Sequence, residues 1–470
     1  MSRIPRGLPR NAHALLSARR YDRRVNVEAR ILDRIRPTAA EDAKLAAVTR
    51  ELIEKLEATL RARGWDGQPI LVGSIAKGTH LTGTEIDLFV AFPPDLPRKD
   101  LEARGLELGR LAERGVHMYA EHPYTRGWYG GFEVEIVPCY RIVDPSQRMS
   151  AVDRTPLHAD YVLGHLAEGQ ADEVRLLKAW TEGIGVYGAE AKVRGFSGYL
   201  CELLVLKHGS FRKVLEASQG WRPGHVIELG RAAGKAFDDP LVVVDPVDPN
   251  RNVASAVSLE QLATFVHGAR EYLRGPSERF FFPRPRKPLT VARLQRLIRR
   301  RGSEAVAVAI PAPRLTDDVL YPQLRKAHHA LEDLFRRHGF VVHDSRFDLV
   351  RGEAVFLFEF AHTELPQAMR HEGPPVWVRN AHDFLTKWSR NRRTLSGPYL
   401  SGDRWFVDVE REHTRAADFL RAKKSELSLG RDLDRAARRS IKVLVARRAL
   451  ATRYASAWTQ LFDKRFPWER

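Results

Sequence analysis

Cysteine is nearly absent from this 470-residue chain, which has only Cys139 and Cys201. Two thiols cannot build a disulfide framework, and neither lies in a C-x-x-C or beside paired histidines. A disulfide scaffold and a Cys/His zinc site are therefore both excluded, and a reducing cytoplasmic home is expected. Long apolar runs are missing as well. No stretch approaches the roughly 18 residues that span a bilayer, so no membrane partner is expected. The opening "MSRIPRGLPRNAHALLSARRYDRR" lacks the apolar centre of a signal peptide. Acids are scarce relative to bases, 59 against 77, leaving a formal charge of +18 and a pI near 10.0. Such an excess favours phosphate-rich partners, nucleic acid before anionic membrane, although a merely well-solvated surface carries it too. No internal repeat is present.

What is there is an ordinary globular composition too long for one core, so several domains are expected. Thr38 and Glu41 have the spacing of a capping box before "AKLAAVTRELIEKLEATLRARG", where Leu45, Val48, Leu52, Leu56 and Leu60 recur at helical intervals. Strands come next at "PILV", "TEIDLFVAF" and "FEVEIVPCY", then a helix at "DEVRLLKAWTEGIG" and mainly helical text to about residue 275. Arg274 to Pro288, "RGPSERFFFPRPRKP", is proline-rich and basic and reads as a linker. Beyond it the pattern is strand, helix, strand, strand, a compact α+β module without evident chemistry. The arginine-rich "RDLDRAARRSIKVLVARRAL" reads as one helix, whose basic face is either solvated or in contact with phosphate.

The stretch "LVGSIAKGTHLTGTEIDLFV", Leu71 to Val90, carries the chemistry. Gly73 and Gly78 stand at Walker spacing, but Lys77 precedes the second glycine, and the chain beyond Gly78 runs into a strand pattern where a Walker loop needs a helix. A P-loop is thus excluded. On an extended strand Glu85 and Asp87 share one face while Ile86, Leu88 and Val90 take the other. Paired carboxylates are hard oxygen ligands suited to Mg²⁺, which keeps water and substrate phosphate in its remaining positions. Glu133 and Glu135 repeat the pattern on a second strand, and a third carboxylate from there would suffice for two-metal phosphoryl transfer. Gly73 and Ser74 would let the backbone and a hydroxyl approach a polyphosphate, with Lys77 adding a point charge. The plainer alternative is a surface hairpin with solvated acids.

Gly-Ser ahead of an acid-x-acid strand resembles the signature of the polymerase-β-like nucleotidyltransferases. Longer blocks narrow the choice: "YAEHPYTRGWYGGFEVEIVPCYRI", "SAVDRTPLHADYV", "GVYGAEAKVRGFSGYLCELLV", "VVVDPVDPNRNVASAVSLEQLATFVHGAREY" and "DDVLYPQLRKA". Together they look like the archaeal, class I CCA-adding enzymes, the tRNA nucleotidyltransferases, from about Val27 almost to the C-terminus. The resemblance implies a multidomain α+β chain: a polymerase-β-like head over 26–165, a helical neck over 166–280, an α+β body over 281–390 and a helical basic tail over 391–470. Residues 1–25 are left as an additional basic arm.

The resemblance further implies addition of C, C and A to the tRNA 3′ end from CTP and ATP, with two Mg²⁺ ions and no template. The tRNA would be held by its acceptor stem and T arm, and a homodimer is an admissible assembly. Residue by residue, Glu85, Asp87 and Glu135 fall on the metal-ligand and catalytic positions, and Ser74 and Lys77 on the triphosphate positions. His158, Lys178 and Tyr187 fall on the nucleotide pocket, and Arg251 on the neck arginine that reads the base. Two positions depart from the family pattern: Glu135 stands where aspartate is usual, and Lys77 where arginine is usual. Taken singly, His158 reads more readily as a packing histidine, Tyr187 as a core aromatic, Lys178 as a surface lysine and Arg251 as a solvent-exposed loop arginine, and only their place in the matched blocks reverses this. A poly(A)-polymerase-like enzyme and a catalytically inactive tRNA-binding relative are the alternatives.

Overall fold

The first described helix, α1 over residues 27–35, buries Val27, Ile31 and Ile35, one residue per turn. In this computed structural model residues 27–119 and 123–470 are described, and the basic arm expected over 1–25 lies outside the described residues. Helix α2, Ala39–Arg63, begins with the reciprocal capping box of Thr38 and Glu41. Its Leu45, Leu52, Leu56 and Leu60 are buried on one face. That stripe covers a five-stranded sheet made of β1 (Gln68–Leu71), β2 (Ile86–Phe92), β3 (Glu113–Tyr119), β4 (Pro123–Tyr129) and β5 (Phe132–Tyr140). Its order is β1-β2-β5-β4-β3, with β2 and β5 parallel and the other pairs antiparallel. A two-residue turn, Gly130 and Gly131, joins β4 to β5. Both have positive φ, 57° and 86°, the conformation that matches hairpin twist and that side chains resist.

The sheet's two faces separate apolar from functional residues. Ile86, Leu88, Val90 and Phe92 of β2 and Val134 and Ile136 of β5 pack towards α2. On the opposite face Phe89, Ala91, Val137 and Cys139 form a small second core, and Glu85, Asp87, Glu133 and Glu135 precede them in the same alternation.

Helices α5 (Thr155–His165), α6 (Gln170–Ile184), α7 (Gly198–His208), α8 (Phe211–Ser218) and α9 (Leu259–Arg274) come after the sheet; the sheet's own α3 (Gly73–Ala76) and α4 (Arg98–Leu108) come before them. Their core is aromatic: Phe196 stacks on Phe265 at 4.4 Å, and Trp180 meets the same ring edge-on at 5.1 Å. Two short parallel strands, β6 (His225–Ile227) and β7 (Leu241–Val243), complete the segment.

By packing, the chain divides into two compact units. The first runs to Pro285 and takes back Phe466–Arg470; the second is Arg286–Arg465. The expected linker Arg274–Pro288 therefore begins as core. Phe280 and Phe281 are 5% and 4% exposed, and Trp468 stacks on Phe280 at 5.2 Å and on Phe466 at 4.7 Å. The hydrophobic gain from two phenylalanine rings outweighs the turn-forming character of the prolines around them.

The second unit contains β8 (Glu304–Pro311), β9 (Val342–Val350), β10 (Glu353–Phe360), β11 (Ala368–Pro375), β12 (Thr394–Ser401), β13 (Arg404–Glu410) and β14 (Lys442–Val445). A four-stranded sheet, β14-β8-β10-β9, is covered on both faces. One core gathers Val306, Val308, Phe356 and Phe358 under α11 (Asp317–Arg337), which comes after α10 (Val291–Arg301). The other gathers Ala307, Ala309, Val355 and Leu357 against Trp458. Here the expectation of one long arginine-rich helix is corrected. The helix stops at Arg439, and Lys442–Val445 pairs with the edge of β8. Ile441, Val443, Leu444 and Val445 suit a pleated edge better than a helix, and β8 would otherwise expose unpaired backbone. The three-stranded sheet β11-β13-β12 draws strands from both sides of residue 390, so the stretch expected as a helical tail contributes three strands as well as helices. Among the described residues, no helix is long and apolar enough to cross a membrane.

If Phe280 is core and the neighbouring Phe282, 37% exposed, is not, their truncations separate. Phe280→Ala should destabilise the first unit by ~3–5 kcal/mol, the usual loss for a buried phenylalanine, and Phe282→Ala by under ~1 kcal/mol. Urea unfolding of the two variants is the measurement, and equal midpoints would return the segment to linker status.

Candidate active site

At the end of β1 the chain must turn beneath the carboxylate of Asp87. Val72 donates its N–H to the Asp87 carbonyl at 3.0 Å, and Gly73 then adopts φ +68°. A Cβ on Gly73 would lie 1.9 Å from Asp87 Oδ2. Both the backbone angle and the space demand glycine here. One helical turn, Gly73–Ala76, presents Ser74, whose Oγ is 3.3 Å from Thr84 Oγ1.

The rest of this loop is pinned from α6 and α7. Arg175 of α6 donates to the carbonyls of Gly78 and His80 at 2.6 and 2.8 Å. Glu202 of α7, fully buried, accepts from Lys77 Nζ at 2.5 Å, from Lys178 Nζ at 3.0 Å and from Thr79 Oγ1 at 2.6 Å. Burial alone would raise the Glu202 carboxyl, but the two lysines outweigh it and hold it below its ordinary range. Two buried ammonium groups sharing one carboxylate leave a net positive charge fixed at the cavity floor, a seat for an anion.

A second buried carboxylate organises the other wall. Asp245, with no exposed surface, meets His158 Nε2 at 2.9 Å, Arg251 Nη1 at 2.8 Å and the Tyr199 hydroxyl at 3.2 Å. Here too burial opposes the charge, and the bonds from His158 and Arg251 hold the carboxyl low. Burial, the largest influence on His158, pushes its imidazole below the usual range. A neutral ring beside this carboxylate is assigned as the Nε2–H tautomer. His158 stacks on Tyr199 with centroids 4.3 Å apart. The Tyr187 hydroxyl is close enough to Gly198 that a Cβ there would lie 3.1 Å from it.

These groups enclose a cavity of about 390 Å³. Ser74, Lys77, Glu85, Asp87, His158, Lys178, Tyr187 and Arg251 line it, eight of the nine site residues expected from sequence. Glu135 is not among the lining residues. It stands opposite Asp87 in the β2–β5 register, but its Oε1 accepts from Arg126 Nε at 2.7 Å and from Nη2 of the same guanidinium.

The carboxylates are crowded. Burial first, then Glu85 and Glu135, push Asp87 up to about 7. Glu85 is raised by burial and by Glu135. Part-buried carboxylates raised by desolvation and by neighbouring acids are an electrostatic deficit that a divalent cation would relieve, and their hard oxygens suit one. The donor set therefore fits a Mg²⁺-type ion at Glu85 and Asp87. Among the described residues, the one group of three metal-ligating side chains with all donor atoms within 4.8 Å is elsewhere, at His328, His329 and Glu332 of α11. There both oxygens of Glu332 are taken, by Arg336 and Ser345.

Glu202, Asp245 and Tyr199 were not legible as site residues from sequence. The available signal was an acid embedded in an apolar run: Glu202 in "YLCELLVL" and Asp245 after "LVVV". A buried acid requires a partner.

Three family models cover most of the chain. Residues 52–158 match the nucleotidyltransferase domain, 172–282 the second domain of tRNA nucleotidyltransferase, and 301–446 the C-terminal domain of CCA-adding enzyme. Among curated proteins the chain is similar to the CCA-adding enzyme of Methanoregula boonei, 42% identical over 82% of this chain and 84% of that one. The CCA-adding enzymes of Thermoplasma acidophilum, at 40% over 86% and 91%, and of Methanosarcina barkeri, at 38% over 88% and 92%, are comparable.

Removing the shared carboxylate should expose its role. Glu202→Gln leaves two buried lysines competing for a neutral amide and should cost ~3–5 kcal/mol at pH 7. Because the folded protein holds Glu202 below the 4.5 of a free glutamate, its contribution is fully present above that pH. It is lost as pH falls through the folded value. The gap between wild type and variant in chemical unfolding should thus be constant from about pH 8 to 6 and narrow below about pH 4.5. A gap that widens on acidification would contradict the assignment.

Proposed function

The chain belongs to the CCA-adding enzymes, and from that premise we propose that its cavity joins CTP and ATP to the 3′ end of tRNA. C, C and A are added in turn without a nucleic-acid template, and pyrophosphate is released at each addition. The observation that carries the reading is the convergence on one cavity of a carboxylate pair, a fixed cationic floor and an aromatic wall bearing a guanidinium.

Each part has a task. Lys77 and Lys178, held by Glu202, take the triphosphate as positioned point charges, and Ser74 donates its hydroxyl to the same phosphates. Tethering both lysines to one carboxylate removes the entropy that free lysine side chains would lose on binding. Glu85 and Asp87, with Glu135 in the next strand, would hold Mg²⁺, two ions in the scheme implied by the carboxylate count. Bound there, the metal would ease deprotonation of the tRNA 3′-hydroxyl and stabilise the leaving pyrophosphate. Gly73 keeps the phosphate loop and Asp87 in van der Waals contact, so the triphosphate and the carboxylates are brought to a common point.

The base would lie against Tyr187, Tyr199 and His158 and face Arg251. Asp245 fixes one arm of that guanidinium, leaving a planar set of donors at a set angle. One such plane serves cytosine or adenine according to how the growing 3′ end fills the pocket. Basic surface would grip the tRNA at its acceptor stem and T arm, a shape-based contact with RNA backbone.

The test uses tRNA lacking CCA and each triphosphate separately. CTP should be incorporated first, ATP only after two cytidines, and Asp87→Ala should reduce incorporation to below about a hundredth while tRNA affinity stays within about twofold, because phosphate grip dominates binding. Incorporation of ATP alone would make the enzyme poly(A)-polymerase-like, and none at all an inactive tRNA-binding relative.

Base choice has its own test. Arg251→Ala should raise misincorporation of UTP or GTP by ~1–3 kcal/mol of lost discrimination, the range of a good bidentate contact. Single-nucleotide extension of tRNAs ending before the first C, after one C and after both measures it. Unchanged selectivity at all three steps would move base reading to another residue.

A further inference from the structure

Asp87, Glu135 and Arg126 stand side by side on three adjacent strands. Asp87 of β2 is the register partner of Glu135 of β5, and Glu135 is the partner of Arg126 of β4. Two nitrogens of the guanidinium converge on one oxygen, Oε1 of Glu135, and Nε lies 3.7 Å from Glu133 Oε1. Glu135 is consequently turned towards Arg126, and its carboxylate is not gathered with those of Glu85 and Asp87 around the cavity. The Arg126 side chain is 40% exposed and that of Glu135 16%, so the pair lies at the rim of the carboxylate group with room to rearrange.

Four acids project from one face of β2 and β5, and without a counter-charge they would repel one another. Arg126 supplies that charge to Glu135 and Glu133, while Lys77 and Arg126 both act on Asp87. A divalent cation at Asp87 would compete with the guanidinium for the same carboxylate, since an oxygen that accepts two N–H donors has little capacity left for an ion. Glutamate has the length to serve both sides, because rotation about its χ angles swings the carboxylate along the row from β4 towards β2 without moving backbone.

We propose that Arg126 is a positioning residue that holds Glu135 out of the ligand set until a divalent cation binds, whereupon Glu135 exchanges the guanidinium for the ion. This rests on the reading of Glu85, Asp87 and Glu135 as the cation-binding carboxylates. No covalent bond changes; one ion pair is replaced by another, and the released guanidinium is left beside Glu133 and solvent. Arg126 thereby sets the affinity for the ion through Glu135.

The experiment titrates the metal-free protein with Mn²⁺, without nucleotide or tRNA, and follows free Mn²⁺ by electron paramagnetic resonance. Arg126→Gln should tighten Mn²⁺ binding about three- to tenfold, and Arg126→Lys, which keeps the charge but loses the converging donors, should fall between it and wild type. In the Glu135→Gln background, Arg126→Gln should have no effect, since the double-mutant cycle isolates the coupling. Arg126→Gln that weakens binding or leaves it unchanged overturns the proposal, and so does equal tightening in the Glu135→Gln background, which would be general electrostatics. Asp87→Asn is the separate control. Mn²⁺ binding indifferent to that change would overturn the reading of the carboxylates themselves, and with it the exchange. Thermal midpoints of the Arg126 variants within a few degrees of wild type exclude misfolding, and the half-exposed position makes both substitutions tolerable.

Discussion

One carboxylate, that of Glu202, joins the two halves of the first unit. Its partners come from the loop after β1, through Lys77 and Thr79, and from α6, through Lys178. A buried ion trio of this kind is a poor source of net stability, because desolvation offsets most of the attraction. What it supplies is register. The sheet that carries the acids and the helices that carry the aromatic wall are held at one separation, and the cavity between them has one shape. A well-packed apolar replacement could hold the halves together as strongly, but it would offer no positive charge to a phosphate.

Asp245 repeats the principle on the opposite wall, with His158, Tyr199 and Arg251 as its dependants. In both cases the group that does the holding is a fully buried carboxylate, opposite in sign to the lysines or the arginine that it holds. Lysine and arginine presented in this way are pre-oriented. For Glu85 and Asp87 burial and neighbouring carboxylates outweigh the nearby cations, Arg126 for both and Lys77 as well for Asp87, and these two acids are raised in pKa. Fixed positive walls and a crowded negative strand face are the two halves of the site proposed above for a metal-bound polyphosphate.

Much of this was legible in the chain, and the limits have physical causes. Alternation along "EIDLFVAF" assigned Glu85 and Asp87 to one face and Ile86, Leu88 and Val90 to the other, because side-chain direction in a strand depends only on parity. Thr38 and Glu41 gave the start of α2 because a capping box is local. Glu202 and Asp245 escaped because each gathers partners from separate parts of the chain: Lys77 is 125 residues from Glu202, and His158 is 87 residues from Asp245 although Arg251 is only 6 away. The strand β14 was hidden by the arginines on both sides of it, which favour a helix locally, whereas the decisive factor was the free edge of β8, far earlier in the chain. Phe280 and Phe281 were masked in the same way by prolines. Parity offered Glu133 and Glu135 alike, the resemblance singled out Glu135, and neither bears on the rotamer that turns it to Arg126.

The aromatic stack of Phe280, Trp468 and Phe466 has a topological consequence. The chain leaves the first unit at Pro285 and re-enters it at Phe466, so the second unit is spliced into the first rather than appended to it. A stop codon after residue 285 would therefore not yield the first unit intact; it would strip a ring from the face of Phe280 and leave about the area of an indole open to water. A fragment that keeps this stack has to be made as a deletion, joining residues up to Pro285 directly to the closing segment, Phe466–Arg470. For the same reason the second unit is tethered at both ends, which restricts its unfolded chain and lowers the entropy available to it when it opens.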